Sequence, residues 1–198
     1  MMTDRATMVA GYVAGRLEWL RHSGHTVAAT LARLRRGIGR APGDMPELWN
    51  VTLDGMPEEL RSRDGKPTKG EWAVYTALTL YALHQQGRDM QKEPMNREGV
   101  SLGTAMHRLT GPDELDRIKR RFDSVATSDD IVELANHLRG VTQLLKAAGI
   151  PLDYPMLAKD LYWYQFADMA PAVRLRWGQD FYPVFMANES EATDEQKG

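Results

Sequence analysis

Histidine and carboxylate side chains are the groups in this chain that could hold a metal ion or transfer protons. Of the five histidines, only His22 and His25 stand close together, and the Ser-Gly pair between them predicts a turn. No carboxylate accompanies them at ligand spacing, so they are expected at the surface rather than on a metal. Asp129 and Asp130 stand at a predicted helix start, where acidic side chains interact favourably with the helix dipole. None of these residues predicts a metal site.

Motifs for covalent catalysis and for cofactor binding are also missing. The chain has no cysteine, which excludes disulfides, cysteine nucleophiles and thiolate metal sites. Gly37 and Gly39 lack the preceding strand and the further glycine of a dinucleotide loop, and they predict the end of a helix instead. No nucleophile motif occurs. We therefore expect no enzymatic activity, no catalytic residue and no cofactor.

Arginine is the remaining residue type with a binding chemistry, because its planar guanidinium can donate two hydrogen bonds to one phosphate. Eighteen of the 25 basic residues are arginine, and no acidic residue occurs in residues 20–42. GC-rich codon usage would explain the count alone equally well. The placement of the arginines is more informative than their number. The acid-free stretch contains Arg21, Arg33, Arg35, Arg36 and Arg40.

Helical spacing puts several of these cations on solvent faces, since each residue of a helix turns by about 100°. Arg33 and Arg36 lie opposite the apolar positions of residues 27–38, and Arg40 joins them if the helix continues past the glycines. Arg120 opposes the apolar positions of residues 115–122, and Lys119 and Arg121 flank them. Arg139 and Lys146 are expected on one face of the next helix. Such faces suit phosphate, although each alone is also typical of a solvated helix.

The charge of the chain is unevenly distributed. The net charge is −2, but residues 188–198 carry four acids against one lysine, which leaves the rest of the chain at +1. This acidic segment has no core-forming residues and is expected to be a disordered tail. No apolar run approaches the ~20 residues that span a bilayer, and no signal peptide is evident. We expect a cytoplasmic protein without a membrane partner.

The composition predicts an all-α fold, because leucine and alanine far outnumber isoleucine and valine and no run alternates apolar and polar residues. We predict a helical bundle of about 8–9 helices in two closely packed lobes. These are residues 1–98, with a long polar loop at about 41–69, and residues 99–187. Helices are predicted over about 4–22, 26–36, 46–51, 69–86, 101–111, 112–125, 128–149, 153–166 and 171–181. Caps are expected at Thr68, Ser101, Ser128 and Asp153.

Aromatic side chains are predicted to belong to the core rather than to a stacking surface. In the third long helix, Trp72, Tyr75, Leu78, Thr79 and Ala82 line one face. Further on, the apolar faces hold Trp163, Trp177 and Phe181. Binding is then expected to use the nucleic-acid backbone and to be indifferent to base sequence.

Several short motifs follow one another along the chain in a fixed order. They are residues 33–37 followed by 46–49, then 78–86, 99–103, 121–122, 138–139, 151–155 and 174–182. This ordered set resembles the CasB family, the small subunit of the type I-E CRISPR Cascade complex. The resemblance covers roughly residues 17–182. Two positions depart from the family pattern: Arg139-Gly140 and His107-Arg108 stand where basic pairs are expected.

The resemblance implies an all-helical subunit without enzymatic activity. It also implies two copies arranged head to tail beside the backbone and large subunits of Cascade, in contact with the guide RNA, the target strand and the displaced strand. A helical protein–protein scaffold that never touches nucleic acid remains an alternative, and a helix-turn-helix regulator is disfavoured because no short turn frames a recognition helix. The predicted nucleic-acid-binding residues are Arg33, Arg35, Arg36, Arg40, Arg108, Lys119, Arg120, Arg121, Arg139 and Lys146.

Overall fold

The computed structural model describes residues 2–111 and 114–183. These residues form nine α-helices and three short 3-10 helices. The all-α prediction is confirmed: within these residues the only β pairing is a single parallel bridge between Asn96 and Leu152. The 3-10 helices are Gly24–Thr26, Pro46–Leu48 and Glu58–Leu60. The α-helices are α1 (Met2–His22), α2 (Val27–Arg36), α3 (Trp49–Thr52), α4 (Lys69–His84), α5 (Leu102–His107), α6 (Leu115–Ala126), α7 (Ile131–Ala148), α8 (Tyr154–Tyr164) and α9 (Ala170–Phe181).

Helix α4 begins with a capping box that also fixes the preceding loop. The Thr68 hydroxyl accepts a hydrogen bond from the Glu71 amide, and the Glu71 carboxylate accepts one from the Thr68 amide at 2.8 Å. The second oxygen of Glu71 accepts from the Ser62 amide at 3.0 Å. Both carboxylate oxygens are therefore occupied by backbone donors, as the Thr-x-x-Glu spacing predicts.

Helix α4 is buried on all sides, because α1, α2, α7 and α8 pack around it. Every side chain from residue 73 to residue 82 is buried. The prediction of a single core-facing stripe is therefore too narrow, and Trp72, which belonged to that stripe, is partly exposed at the beginning of the helix. A helix without charged residues over this length is typical of a central core element.

Two of the helix starts behave as predicted and one does not. Ser101 caps α5, and Asp153 caps α8 by accepting from the Met156 amide at 2.8 Å. The prediction that Ser128 caps α7 is wrong: Asp130 does so, accepting from the amides of residues 132 and 133. Ser128 is buried instead, and its carbonyl accepts from the Tyr164 hydroxyl at 2.9 Å.

The segment of residues 88–99, where the two predicted lobes meet, is tied to helices on both sides. The Gln85 side chain at the end of α4 accepts from the Met95 amide at 2.8 Å and donates to the Glu93 carbonyl at 3.1 Å. Asp153 at the start of α8 accepts from the Gly99 amide at 2.8 Å. One hydrophobic core cluster joins residues on both sides of this segment. The division into lobes at residues 98 and 99 stays a prediction.

Some predictions fall on residues that the structure does not describe. These are the acidic tail at residues 188–198 and the helix start at Pro112, while the described part of α6 begins at Leu115. Among the residues that are described, no helix is long and apolar enough to cross a membrane.

Candidate nucleic-acid interface

None of the ten predicted binding residues is buried, although Arg35 and Lys146 are half-buried. Two of the ten have carboxylate partners: Arg36 lies 3.8 Å from Glu47, and Lys119 lies 2.6 Å from Asp123. The other eight form no ion pair with any carboxylate of the described residues. An unpaired surface guanidinium keeps its hydrogen-bond donors available for an anion.

Arg121 of α6 reaches the part of α7 that carries Arg139. The guanidinium of Arg121 lies over Gly140: a Cβ placed on that glycine would be 3.4 Å from Nη1 of Arg121. Arg139 directly precedes this glycine and is exposed, as Arg121 is. Gly140 stands where the family pattern has the second residue of a basic pair. Arg121 thus supplies a second cation at the position where a basic pair was expected.

Arg40 reaches the same face of α7 from the other side. Helix α2 ends at Arg36, so the condition under which Arg40 would continue its outward stripe is not met. Instead, Gly39 takes a positive φ of 79°, and a Cβ placed there would lie 3.7 Å from the side-chain oxygen of Asn136. A small cavity is lined by Arg40 together with Val132 and Ala135 of α7. We call Arg40, Arg121 and Arg139 the α7 basic surface.

Lys146 extends this surface toward the end of α7. It stands two turns beyond Arg139, and its ammonium donates to the Gln86 side chain at 2.9 Å. Arg88, which sequence reasoning missed, donates to the Lys146 carbonyl at 3.1 Å and also pairs with Glu93 at 3.1 Å. These hydrogen bonds hold the end of α7 against the residues that follow α4. Arg88 follows Gly87 in a loop, where helical periodicity gives no signal.

The remaining predicted residues lie away from the α7 basic surface. Lys119 occupies the opposite edge of α6 from Arg121, where hydrogen bonding and charge attraction from Asp123 raise the pKa of the Lys119 ammonium. Arg120 points outward between the two edges. Four further cations are on other elements: Arg33 and Arg36 on the exposed side of α2, the half-buried Arg35 between them, and Arg108 directly after α5.

Most of the predicted core aromatics are confirmed as buried, but two tryptophans are exposed that sequence reasoning did not consider. Trp177 is 1% exposed, and its indole donates to the buried Asp160 carboxylate at 2.7 Å. Trp19 and Trp49 are 40% and 48% exposed. Trp49 stands in the polar stretch of residues 41–69, outside any apolar stripe. That position in the sequence could have predicted its exposure.

The described residues contain no group of three or more potential metal ligands. His22 and His25 are both exposed, as expected. The buried carboxylate of Asp160 is used structurally: burial raises its pKa, and Arg176 and Trp177 each donate to it at 2.7 Å. Its oxygens are thus bound by neighbouring side chains rather than presented to a cavity.

Comparison with known proteins places the chain in a family. The model of CRISPR-associated protein Cse2 matches residues 30–182. The crystal structure of CasB from Thermobifida fusca has 34% identity and a TM-score of 0.72, covering 90% of this chain and 98% of that one. No curated protein sequence matches the chain.

Two further solved structures, both from Thermus thermophilus, are less similar in sequence and show the shared fold. A CRISPR-associated protein of the Cse2 family from this organism has 21% identity and a TM-score of 0.65. A structure of its CasB has 22% identity and a TM-score of 0.61. In both cases, 86% of this chain and 97% of the other are covered. From the extent of the family match and the identity to the Thermobifida fusca protein, the chain belongs to the Cse2 (CasB) family of CRISPR-associated proteins.

Proposed function

We propose that this protein is the non-catalytic small subunit of a type I-E Cascade complex and that it binds nucleic acid through phosphate contacts. The observation that carries the proposal is that Arg40, Arg121 and Arg139 all lie along residues 132–140 of α7, without carboxylate partners among the described residues. Like charges kept together at a surface create a local positive potential that attracts a polyanion, even when net charge is −2.

The binding partners follow from the same proposal. They are the guide RNA, the target strand and the displaced strand, together with the backbone and large subunits of the complex and a second copy of this chain. Arginine contacts to phosphate carry no base information. They suit a subunit that must accept any target.

Modest affinity is sufficient for this role. Replacing a DNA duplex by a guide–target duplex is a near-balanced exchange, so a few backbone contacts can favour the open state. Assembly into a complex raises the effective concentration of each binding surface, so weak individual contacts can act together. The protein would thereby stabilise the strand-separated state in antiviral defence.

The double variant Arg121→Ala/Arg139→Ala tests the proposal. Each lost phosphate contact lowers the slope of log affinity against log salt by ~0.7 for single strands, so two lost contacts reduce it by about 1.4. The measurement is titration of a labelled single strand across a range of salt concentrations. Strands of different sequence should lose affinity equally.

A charge-matched control is Arg21→Ala/Lys92→Ala. It removes two exposed cations, one at the end of α1 and one in the segment of residues 88–99. Arg21 already pairs with Glu18 at 2.7 Å. This control should leave the salt slope nearly unchanged. Equal loss from both variants would mean that net charge alone governs binding. If the parent protein does not bind at low salt, the protein–protein scaffold is the better account.

A further inference from the structure

A cleft with an exposed tryptophan at one end and a cluster of cations at the other lies beside the polar segment of residues 58–69. We use the name cleft for two cavities of about 500 and 250 Å³ that share Arg61 in their linings. Neither cavity includes any of the ten predicted binding residues. The larger cavity has the volume of an ordinary small-molecule site.

The larger cavity is the basic end of the cleft. Its lining includes four cations and two carboxylates: Arg5, Arg61, Arg63 and Lys69, against Glu58 and Glu59. Glu58 pairs with Arg63 at 3.4 Å. Lys69 places its ammonium 5.0 Å from the centre of the Phe166 ring. Within the described residues, Arg5, Arg61 and Lys69 have no carboxylate partner, so this end favours an anion.

The smaller cavity is the aromatic end. Trp49 forms part of its wall together with Pro42, Thr52 and Pro67. The only carboxylate in its lining belongs to Glu71, whose two oxygens already accept from backbone amides. The lining of this cavity thus contains one cation, Arg61, and no carboxylate oxygen that is free of a backbone donor. A flat ring with an attached phosphate matches both ends at once.

The cleft also adjoins the α7 basic surface. Arg40 belongs to that surface, and Pro42 and Gly43 line the smaller cavity. Two residues of chain span at most ~7 Å. A strand lying on the α7 basic surface would therefore need only a short path to reach Trp49.

We propose that this cleft binds a nucleotide of a single strand, with its base stacked on Trp49 and its phosphate held by Arg61 and the neighbouring cations. The proposal rests on the proposed function, since it assigns a second contact for the same class of ligand. Base–aromatic stacking accepts any base because every base has a π face. It would add affinity without adding sequence specificity.

The test compares Trp49→Ala with Trp49→Phe, using a ten-nucleotide oligothymidine and an abasic strand of equal length. Losing one stacked base is worth ~1–3 kcal/mol, which is about a 5- to 150-fold loss of affinity for the oligothymidine. Trp49→Phe should keep most of the affinity. The abasic strand should bind parent and variant equally, and the salt slope should not change. Trp19→Ala is the matched control, since it removes another exposed tryptophan.

Arg61→Ala separates the two ends of the cleft, because it should lower the salt slope by ~0.7 for both strands. Equal binding of oligothymidine by parent and Trp49→Ala, with both folded, would overturn the proposal. So would an equal loss for the abasic strand, which contains no base to stack. A proline-rich peptide that quenches Trp49 fluorescence, where the oligothymidine does not, would assign the cleft to a protein partner instead.

The two proposals fail separately. If Arg121→Ala/Arg139→Ala weakens binding and Trp49→Ala does not, the α7 basic surface stands and the cleft proposal is wrong. If only Trp49→Ala weakens binding, the cleft is the nucleic-acid site and the α7 basic surface is wrong.

Discussion

A buried histidine makes the stability of this fold depend on pH in a way that can be calculated. His84, at the end of α4, is 0% exposed. Its Nδ1 lies 3.0 Å from the Tyr154 hydroxyl. Burial disfavours the charged imidazolium and lowers the pKa of His84 to about 4.

The direction of the effect follows from the two protonation equilibria. In the unfolded chain, His84 takes up a proton as the pH falls through about 6.5, whereas in the folded protein it stays neutral down to about 4. The unfolded state is therefore favoured as the pH falls through this window. At pH 4.5 the histidine costs about 2 kcal/mol of unfolding free energy relative to pH 7, since each pKa unit is worth ~1.36 kcal/mol.

Urea unfolding of the parent and of His84→Gln at pH 7 and pH 4.5 measures this cost. Glutamine can still bond the Tyr154 hydroxyl but does not titrate in this range. Carboxylates contribute equally to both proteins, so the parent should lose about 2 kcal/mol more than the variant. Equal losses in the parent and His84→Gln would refute the assignment of a neutral buried imidazole.

Three further changes test the core, the tail and α2. Trp177→Ala should destabilise the protein by ~3–5 kcal/mol in urea unfolding, because it removes a buried side chain and leaves Asp160 without its indole donor; a variant that melts like the parent but binds poorly would make Trp177 a stacking contact. Deleting residues 188–198 should shift the melting temperature by no more than a few degrees, and a larger drop would mean that the tail packs on the fold. Arg33→Ala/Arg36→Ala should flatten the salt dependence by roughly 1–2 units without a change in stability beyond ~0.5 kcal/mol, and an unchanged slope would remove both residues from the interface.

Local signals in the sequence predict most of the fold. The capping box at Thr68 and the cap at Asp153 depend only on residues a few positions apart, and both form as expected. Ser128 and Asp130 show where such reasoning stops. Either side chain can cap a helix, but here the Ser128 hydroxyl donates to the Ser124 carbonyl at 3.0 Å, at the end of α6. The Ser128 carbonyl accepts from Tyr164, which lies in a distant part of the chain.

The candidate site is less predictable because contacts between distant parts of the chain decide where its residues lie. Periodicity places Arg33 and Arg36 outward correctly, but it treats each helix alone. The placement of Arg40 and Arg121 beside the helix that carries Arg139 depends on how the turn after α2 and helix α6 pack against α7. These contacts join residues far apart in sequence, so no spacing rule could find them.

The position of the turn after α2 connects the two proposed contacts into one path. Gly37 packs against Tyr75 and Leu48, where a Cβ would lie 2.5 Å from the tyrosine hydroxyl, so the turn is fixed to the core. Beyond it, Arg40 faces α7, and Pro42 faces the Trp49 cavity. A rigid turn between two weak contacts sets their separation, and one strand held by both gains affinity from effective concentration.

This arrangement predicts a dependence on strand length. Oligothymidines long enough to reach both the α7 basic surface and Trp49 should bind more tightly than shorter ones, with one strand per protein. The losses caused by Trp49→Ala and by Arg121→Ala/Arg139→Ala should each be larger for the long strand, because either change also removes the advantage of simultaneous contact. Calorimetric titration gives both affinity and stoichiometry. Two long strands bound per protein, or losses independent of length, would mean that the surfaces hold separate strands and that the turn does not join them.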